Sequence, residues 1–116
     1  MAYMNAGPIK TFEIDDKNRV DNDPHLVVKE IAHQGHTYHG QSLYNMKHGV
    51  GRLFGNSGTI YEGQYANDRR HGFGRLITSD GSVFLGMWKD DIKEGQGIML
   101  TNDGEIKEGN WSDGIF

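Results

Sequence analysis

Tyr61-Glu62-Gly63-Gln64-Tyr65, followed by His71-Gly72-Phe73-Gly74-Arg75-Leu76 and then Asp80-Gly81, is the stretch from which the fold can be read. Its landmarks recur at intervals of 23 residues: Tyr38, Tyr61 and Phe84; Tyr65, Trp88 and Trp111; His48 and His71; Leu53, Leu76 and Met99. Glycine keeps the same step. Gly40, Gly63, Gly86 and Gly109 form one set, and Gly35, Gly58, Gly81 and Gly104 a second. Gly49, Gly72 and Gly95 form a third, with Gly51, Gly74 and Gly97 two residues behind, so 14 of the 17 glycines lie on the period. A fixed period of this size marks a repeat architecture, in which one supersecondary unit stacks on copies of itself.

Each unit divides into two strands. The first reads Tyr61-x-Gly63-x-Tyr65 and Phe84-x-Gly86-x-Trp88; the second reads Gly49-x-Gly51-x-Leu53, Gly72-x-Gly74-x-Leu76 and Gly95-x-Gly97-x-Met99. Asn56-Ser57-Gly58, Ser79-Asp80-Gly81 and Asn102-Asp103-Gly104 are read as short hairpin turns, because Asp-Gly supplies the positive φ of a tight turn. The connections at Ala66–Arg70 and Lys89–Lys93 are read as longer, charged loops. Side chains two apart share a face, so the rings, the glycines and Leu53, Leu76 and Met99 fall on one side, each ring covering bare glycine backbone. Residues 26–37 form a degenerate half-repeat in register with the array, departing from its pattern as a cap does. The expected organisation is a non-repeat head over 1–25 and an array over 26–116. Its full repeats are 38–60, 61–83 and 84–106, with a terminal half-repeat at 107–116. The fold class is all-β: an elongated, twisted, antiparallel meander of about seven or eight strands in an open single sheet. Within the head, Thr11-Phe12-Glu13-Ile14 alternates as a short strand would.

Tyr-x-Gly-x-aromatic, then His-Gly-x-Gly-x-Leu, then Asp-Gly, all on a 23-residue period, resembles the MORN repeat (membrane occupation and recognition nexus). The resemblance covers Gly35 to Trp111. Ser42 stands where an aromatic is expected, Glu94 where the His is, and Lys107 where the leading Tyr is. The resemblance implies a non-catalytic module for assembly or tethering, in cytoskeletal, ciliary (axonemal) or membrane-associated complexes. A cytoplasmic location associated with the cytoskeleton or a cilium follows from it as an expectation.

Composition excludes several classes. The formal charge is −4 with both signs interspersed, which leaves no electrostatic footprint for nucleic acid. Residues 38–116 carry eight basic and ten acidic side chains, a balance of −2, so a lipid site would have to be local, built from Lys47, Arg52, Arg69, Arg70 and Arg75. The absence of cysteine removes disulfides and thiolate chemistry. No apolar run approaches the ~18 residues of a membrane span, and the N-terminus lacks a basic-then-apolar signal pattern.

Candidate chemistry gives way to structural roles. Gly49-Val50-Gly51 and Gly72-Phe73-Gly74 recur with β patterning and lack the third glycine and helix of a phosphate loop. His33, His36 and His39 are separated by a turn at Gly35 and no carboxylate or cysteine completes a metal set. His48 and His71, being on the period, read as loop hydrogen-bonders or ring-packing residues. The acidic stretch Asp15–Asp23 lacks the glycine and glutamate of an EF-hand, and Ser57 lacks nucleophile-elbow spacing. No enzyme activity, cofactor or metal is expected.

A binding surface is expected on one of two faces. On the aromatic face, Tyr38, Tyr61, Tyr65, Phe84, Trp88 and Trp111 would anchor a helix or extended peptide, in addition to forming the core. The structural glycines of that face are Gly40, Gly49, Gly51, Gly63, Gly72, Gly74, Gly86, Gly95, Gly97 and Gly109. On the opposite face, Phe73, Ile77, Val83, Leu85, Met87, Ile98 and Leu100 would meet a partner or be covered by the head. The terminal strand near Trp111 leaves an edge open to a partner strand or a second copy. A phospholipid-binding tether and a regulatory subunit of an enzyme complex are the rival readings.

Overall fold

A computed structural model describes residues 23–116; the expected strand at Thr11–Ile14 and the rest of the head up to residue 22 lie outside them. Eight strands follow one another: β1 Leu26–His33, β2 His36–Leu43, β3 Met46–Phe54, β4 Ile60–Ala66, β5 Arg69–Ile77, β6 Val83–Lys89, β7 Ile92–Leu100 and β8 Ile106–Trp111. They form a single antiparallel sheet in sequence order. β1 and β8 are its edges. The half-repeat supplies β1, whose Ile31 pairs with Tyr38 and packs against the ring cluster. The structure is longer than wide, 43 × 27 × 26 Å.

The connections reverse the expected assignment of turns. Asn67-Asp68 and Asp90-Asp91, read as parts of long loops, are two-residue turns with both residues at positive φ (51° and 71°; 48° and 72°), the mirror-image geometry that matches strand twist. Tyr44-Asn45 turns in the same way. The connections that carry Gly58, Gly81 and Gly104 are the longer ones, spanning residues 55–59, 78–82 and 101–105 between strands. In each, the glycine takes the left-handed position after a tighter bend; Gly81, at φ 90°, donates its N–H to the Thr78 carbonyl at 3.0 Å.

Registers alternate with the turns. Across β3–β4, β5–β6 and β7–β8 pairing is regular. Across β2–β3, β4–β5 and β6–β7, it slips between Gly40/Ser42, Gly63/Tyr65 and Gly86/Trp88, so that one residue of the first strand (Gln41, Gln64 or Met87) faces three of the second. The extra residues release backbone donors from the ladder. In two repeats a glutamine recaptures one: Gln41 Oε1 accepts from Val50 N at 2.9 Å and Gln64 Oε1 from Phe73 N at 2.8 Å. This bulge also corrects the reading of Gly49, Gly72 and Gly95. They lie at positive φ, and a Cβ on Gly49 or Gly72 would meet the glutamine oxygen rather than a ring. Ring-covered glycines are those two residues on: a Cβ on Gly51 would strike the Tyr38 ring at 2.3 Å, and one on Gly74 the Tyr61 ring at 2.4 Å.

Candidate functional site

The rings form one continuous file across the sheet. Tyr38 meets Tyr65 (5.4 Å between centroids), Tyr65 meets Tyr61 (5.1 Å), Tyr61 meets Trp88 (5.6 Å), Trp88 meets Phe84 (5.4 Å) and Phe84 meets Trp111 (5.1 Å). All five contacts are edge-to-face, the arrangement favoured by the ring quadrupole and worth about 0.5–1.5 kcal/mol each. Leu76 completes the buried cluster, and Leu53 and Met99 pack against it, filling between rings of adjacent units as the pattern implies. Tyr38 donates to Gln41 O (2.6 Å) and Tyr61 to Gln64 O (2.9 Å), while Trp88 and Trp111 donate to Gly74 O (3.3 Å) and Gly97 O (3.2 Å). The Tyr65 hydroxyl is buried and has no hydrogen-bond partner among the described residues. Burial, first of all, pushes the phenols of Tyr38, Tyr61 and Tyr65 far above their ordinary range.

The six rings proposed as anchors retain at most 5% of their surface. Over them lies a row of cations. Lys47 Nζ lies 5.9 and 5.8 Å from the Tyr38 and Tyr65 centroids; Arg70 Cζ lies 5.9 and 4.5 Å from Tyr61 and Trp88; Lys93 Nζ lies 5.1 and 5.5 Å from Phe84 and Trp111. Each cation therefore spans the rings of two units. Two of them are tied to the following turn. Asp68 Oδ1 accepts from Lys47 N (2.8 Å) and pairs with its Nζ (3.4 Å); Asp91 Oδ1 accepts from Arg70 N (2.8 Å) and pairs with its Nε (3.2 Å). Each turn also returns a main-chain bond, Asp68 N to Lys47 O (2.8 Å), Asp91 N to Arg70 O (2.9 Å) and Gly114 N to Lys93 O (3.0 Å). Their neighbours do the same work: His48 Nδ1 and His71 Nδ1 accept from Asn67 N and Asp90 N (3.3 and 3.4 Å), and Glu94, in the histidine position, accepts from Asp113 N (2.8 Å).

Turns and cations wall a trough over the ring file. One depression of about 370 Å³ is lined by Leu53, Tyr61, Tyr65 and Leu76, with His36, Lys47, Asp68, Arg70 and Asp91 around it. A second, of about 350 Å³, shares Arg70, Leu76 and Asp91 and continues to Trp88, Ile92, Lys93 and Gly114. The cation row was the feature missed in the sequence. Its signal is the 23-residue spacing of Lys47, Arg70 and Lys93.

On the opposite face, Phe73 pairs with Met87 and Leu85 with Ile98; Ile77, Val83 and Leu100 continue a row outward from Ile60. Phe73 and Met87 are exposed, whereas Ile98 is buried. Phe73, Leu85, Met87 and Ile98 line a depression of about 400 Å³ with Gln96 and Glu108. Glu62, 7% exposed, is held between Arg75 Nη2 (2.6 Å) and Arg52 Nε (3.0 Å). His33 and His36 are opposed across the Gln34-Gly35 turn, and His39 faces Glu30; among the described residues no three ligand-type side chains are grouped for a metal ion. No helix among the described residues is long and apolar enough to cross a membrane. At the far edge the chain turns again: Ser112 bridges Ile115, and the Phe116 ring packs 5.3 Å from Trp111 and over Gly109.

No curated protein matches the chain. The family model described as the MORN repeat matches residues 38–60, 61–83 and 84–106. These are three consecutive units covering more than half of the 116 residues, and they contain the paired glycines, the three cations and every ring of the file except Trp111. The chain belongs to the MORN repeat family.

Proposed function

We propose that this protein is a scaffold module that holds a helix or extended peptide of a protein partner along the cation-walled trough. MORN repeats are protein- and membrane-interaction modules, and the repeat itself is non-catalytic. The observation that carries the choice of partner is the trough itself: an aliphatic floor of Leu53 and Leu76 with charged walls from Lys47, Asp68, Arg70 and Asp91. A peptide can place apolar side chains on such a floor and polar ones against such walls. The rings act from below, fixing the cations, and a partner meets the cations and aliphatic side chains first.

The pairing of basic groups supports this over a lipid tether. Of the five basic residues named for lipid, Lys47 and Arg70 are held by Asp68 and Asp91, and Arg52 and Arg75 by Glu62. Lys47 and Arg70, each paired one to one with a carboxylate, draw little from an anionic leaflet, while Arg52 and Arg75 share one carboxylate on the opposite face. A cytoskeletal or ciliary assembly is the setting we propose, on the family resemblance alone.

The test is site-specific photo-crosslinking in native extract. A photoreactive residue at His36 or Ile92, both beside the trough, is expected to trap a defined protein; one at Phe73 or Leu85 is not. Trapping from the Phe73 face alone would reject the trough.

A further inference from the structure

The third cation of the row differs from the other two. Lys47 and Arg70 each have a turn carboxylate, Asp68 and Asp91, that takes the main-chain N–H and the side-chain charge together. One period further on, the position is Gly114. Its backbone is that of its counterparts: φ is 80°, against 71° and 72°, and its N–H bonds to Lys93 O as theirs bond to Lys47 O and Arg70 O. Only the carboxylate is gone. Lys93 still lies over Phe84 and Trp111, and among the described residues no carboxylate is paired with it.

Resting on the trough as the binding surface, we infer that Lys93 receives an acidic side chain, Asp or Glu, of the bound protein segment, which stands where Asp68 and Asp91 stand in the preceding units. The space exists, because the depression of about 350 Å³ at this end of the trough is bounded by Lys93, Gly114, Ile92 and Trp88, with Arg70, Asp91 and Asp113 also on its wall. The other acidic residue of the turn, Asp113, donates its N–H to Glu94 and repeats the position of Asp90 rather than Asp91. Asp91 itself is engaged by Arg70. The charge balance agrees: partial burial, and then the nearby Arg70 guanidinium, hold the Lys93 ammonium below its ordinary pKa, so an incoming carboxylate relieves an unfavourable charge and finds a donor in a site with reduced water access. Two rungs are self-satisfied and add rigidity; the third sets the register of the partner.

The test uses the full chain and a display library of random 16-residue peptides, selected on the wild-type protein. Binders are expected to share one acidic position, and exchange of that residue for its amide is expected to weaken binding at least tenfold. Lys93→Met and Gly114→Asp should each weaken the acidic peptide by a similar factor and bind acidic and amide versions equally. Gly114→Asp is the control for folding, since it restores the residue that Asp68 and Asp91 supply at the same backbone geometry; by carbon NMR titration of the Lys93 side chain, it should raise the lysine's pKa. Binders that crosslink to His36 but lack an acidic preference would overturn the role of Lys93 and leave the trough standing. Failure to select any trough binder would overturn both. Sedimentation with phosphatidylserine vesicles that depends on Lys93 would overturn the inference by assigning the cation to a lipid headgroup.

Discussion

Two glycines of one repeat are needed for different reasons, and substitution separates them. A Cβ on Gly63 would come within 2.5 Å of Gly74 Cα and 2.6 Å of Phe73 O, both backbone atoms of the paired strand. Neither can move without opening the sheet, so Gly63→Ala is expected to cost about 3 kcal/mol, the upper end for overpacking. Gly81 has nothing within 4 Å but lies at φ 90°, so Gly81→Ala is expected to cost only about 1 kcal/mol, from backbone conformation. Equal losses in urea denaturation would contradict the distinction. The tyrosines divide likewise. Tyr61→Phe removes a bond to Gln64 O and should cost about 1 kcal/mol, whereas Tyr65→Phe removes a buried hydroxyl that has no partner among the described residues and should be neutral or stabilising. The ring and glycine positions were legible because period 2 within strands and period 23 between them both constrain the face. The pairing of Lys47 with Tyr38, or Arg70 with Tyr61, was not, since it depends on how far the register slips at each bulge.

The connections show why turn chemistry can be read correctly and placed wrongly. Asp-Gly and Asn-Asp both favour positive φ, and nothing in their composition says which will close the two-residue turn. Two of the two-residue turns are also tied over a distance: Asp68 and Asp91 accept from the main-chain N–H of Lys47 and Arg70, 21 residues earlier. The Asp-Gly loops are fixed locally instead. Asp80 accepts from Thr78 Oγ1 and Ser82 N, and Asp103 from Thr101 Oγ1 and Glu105 N. These bonds, the threonine hydroxyl first, hold both carboxyls below the usual carboxylate range. A depressed folded pKa gives stability that is present above the unfolded pKa and lost as pH falls through the folded one. Thr101→Val should therefore shift the Asp103 titration upward toward its ordinary midpoint and leave Asp80 where it is, as followed by carbonyl carbon NMR. No upward movement of Asp103 would mean the hydroxyl is not the dominant cause.

Across the whole molecule, the ring file links every repeat to the next, and its phenols give it a spectroscopic signature. Tyr38, Tyr61 and Tyr65 have raised folded pKa values, caused first by burial. The linkage sign is that of a raised group: its stability is complete below the unfolded pKa of about 10 and is lost as pH rises through the folded value. These three are expected to ionise only as the sheet opens, so a late rise in phenolate absorbance should coincide with loss of near-ultraviolet circular dichroism. Early ionisation of all tyrosines with the dichroism intact would contradict the burial. Strand order carries a further, mechanical consequence. Because each strand of the described residues pairs in the sheet with its neighbours in sequence, tension applied at the two ends of the sheet acts along the inter-strand hydrogen bonds and loads them a few at a time. No strand pair is sheared as a block. The sheet should pay out at low force in increments of one repeat, about 70 Å each from 23 extended residues less the width they occupied folded. A protein holding a partner in such a sheet would release it by tension before the tether itself was lost.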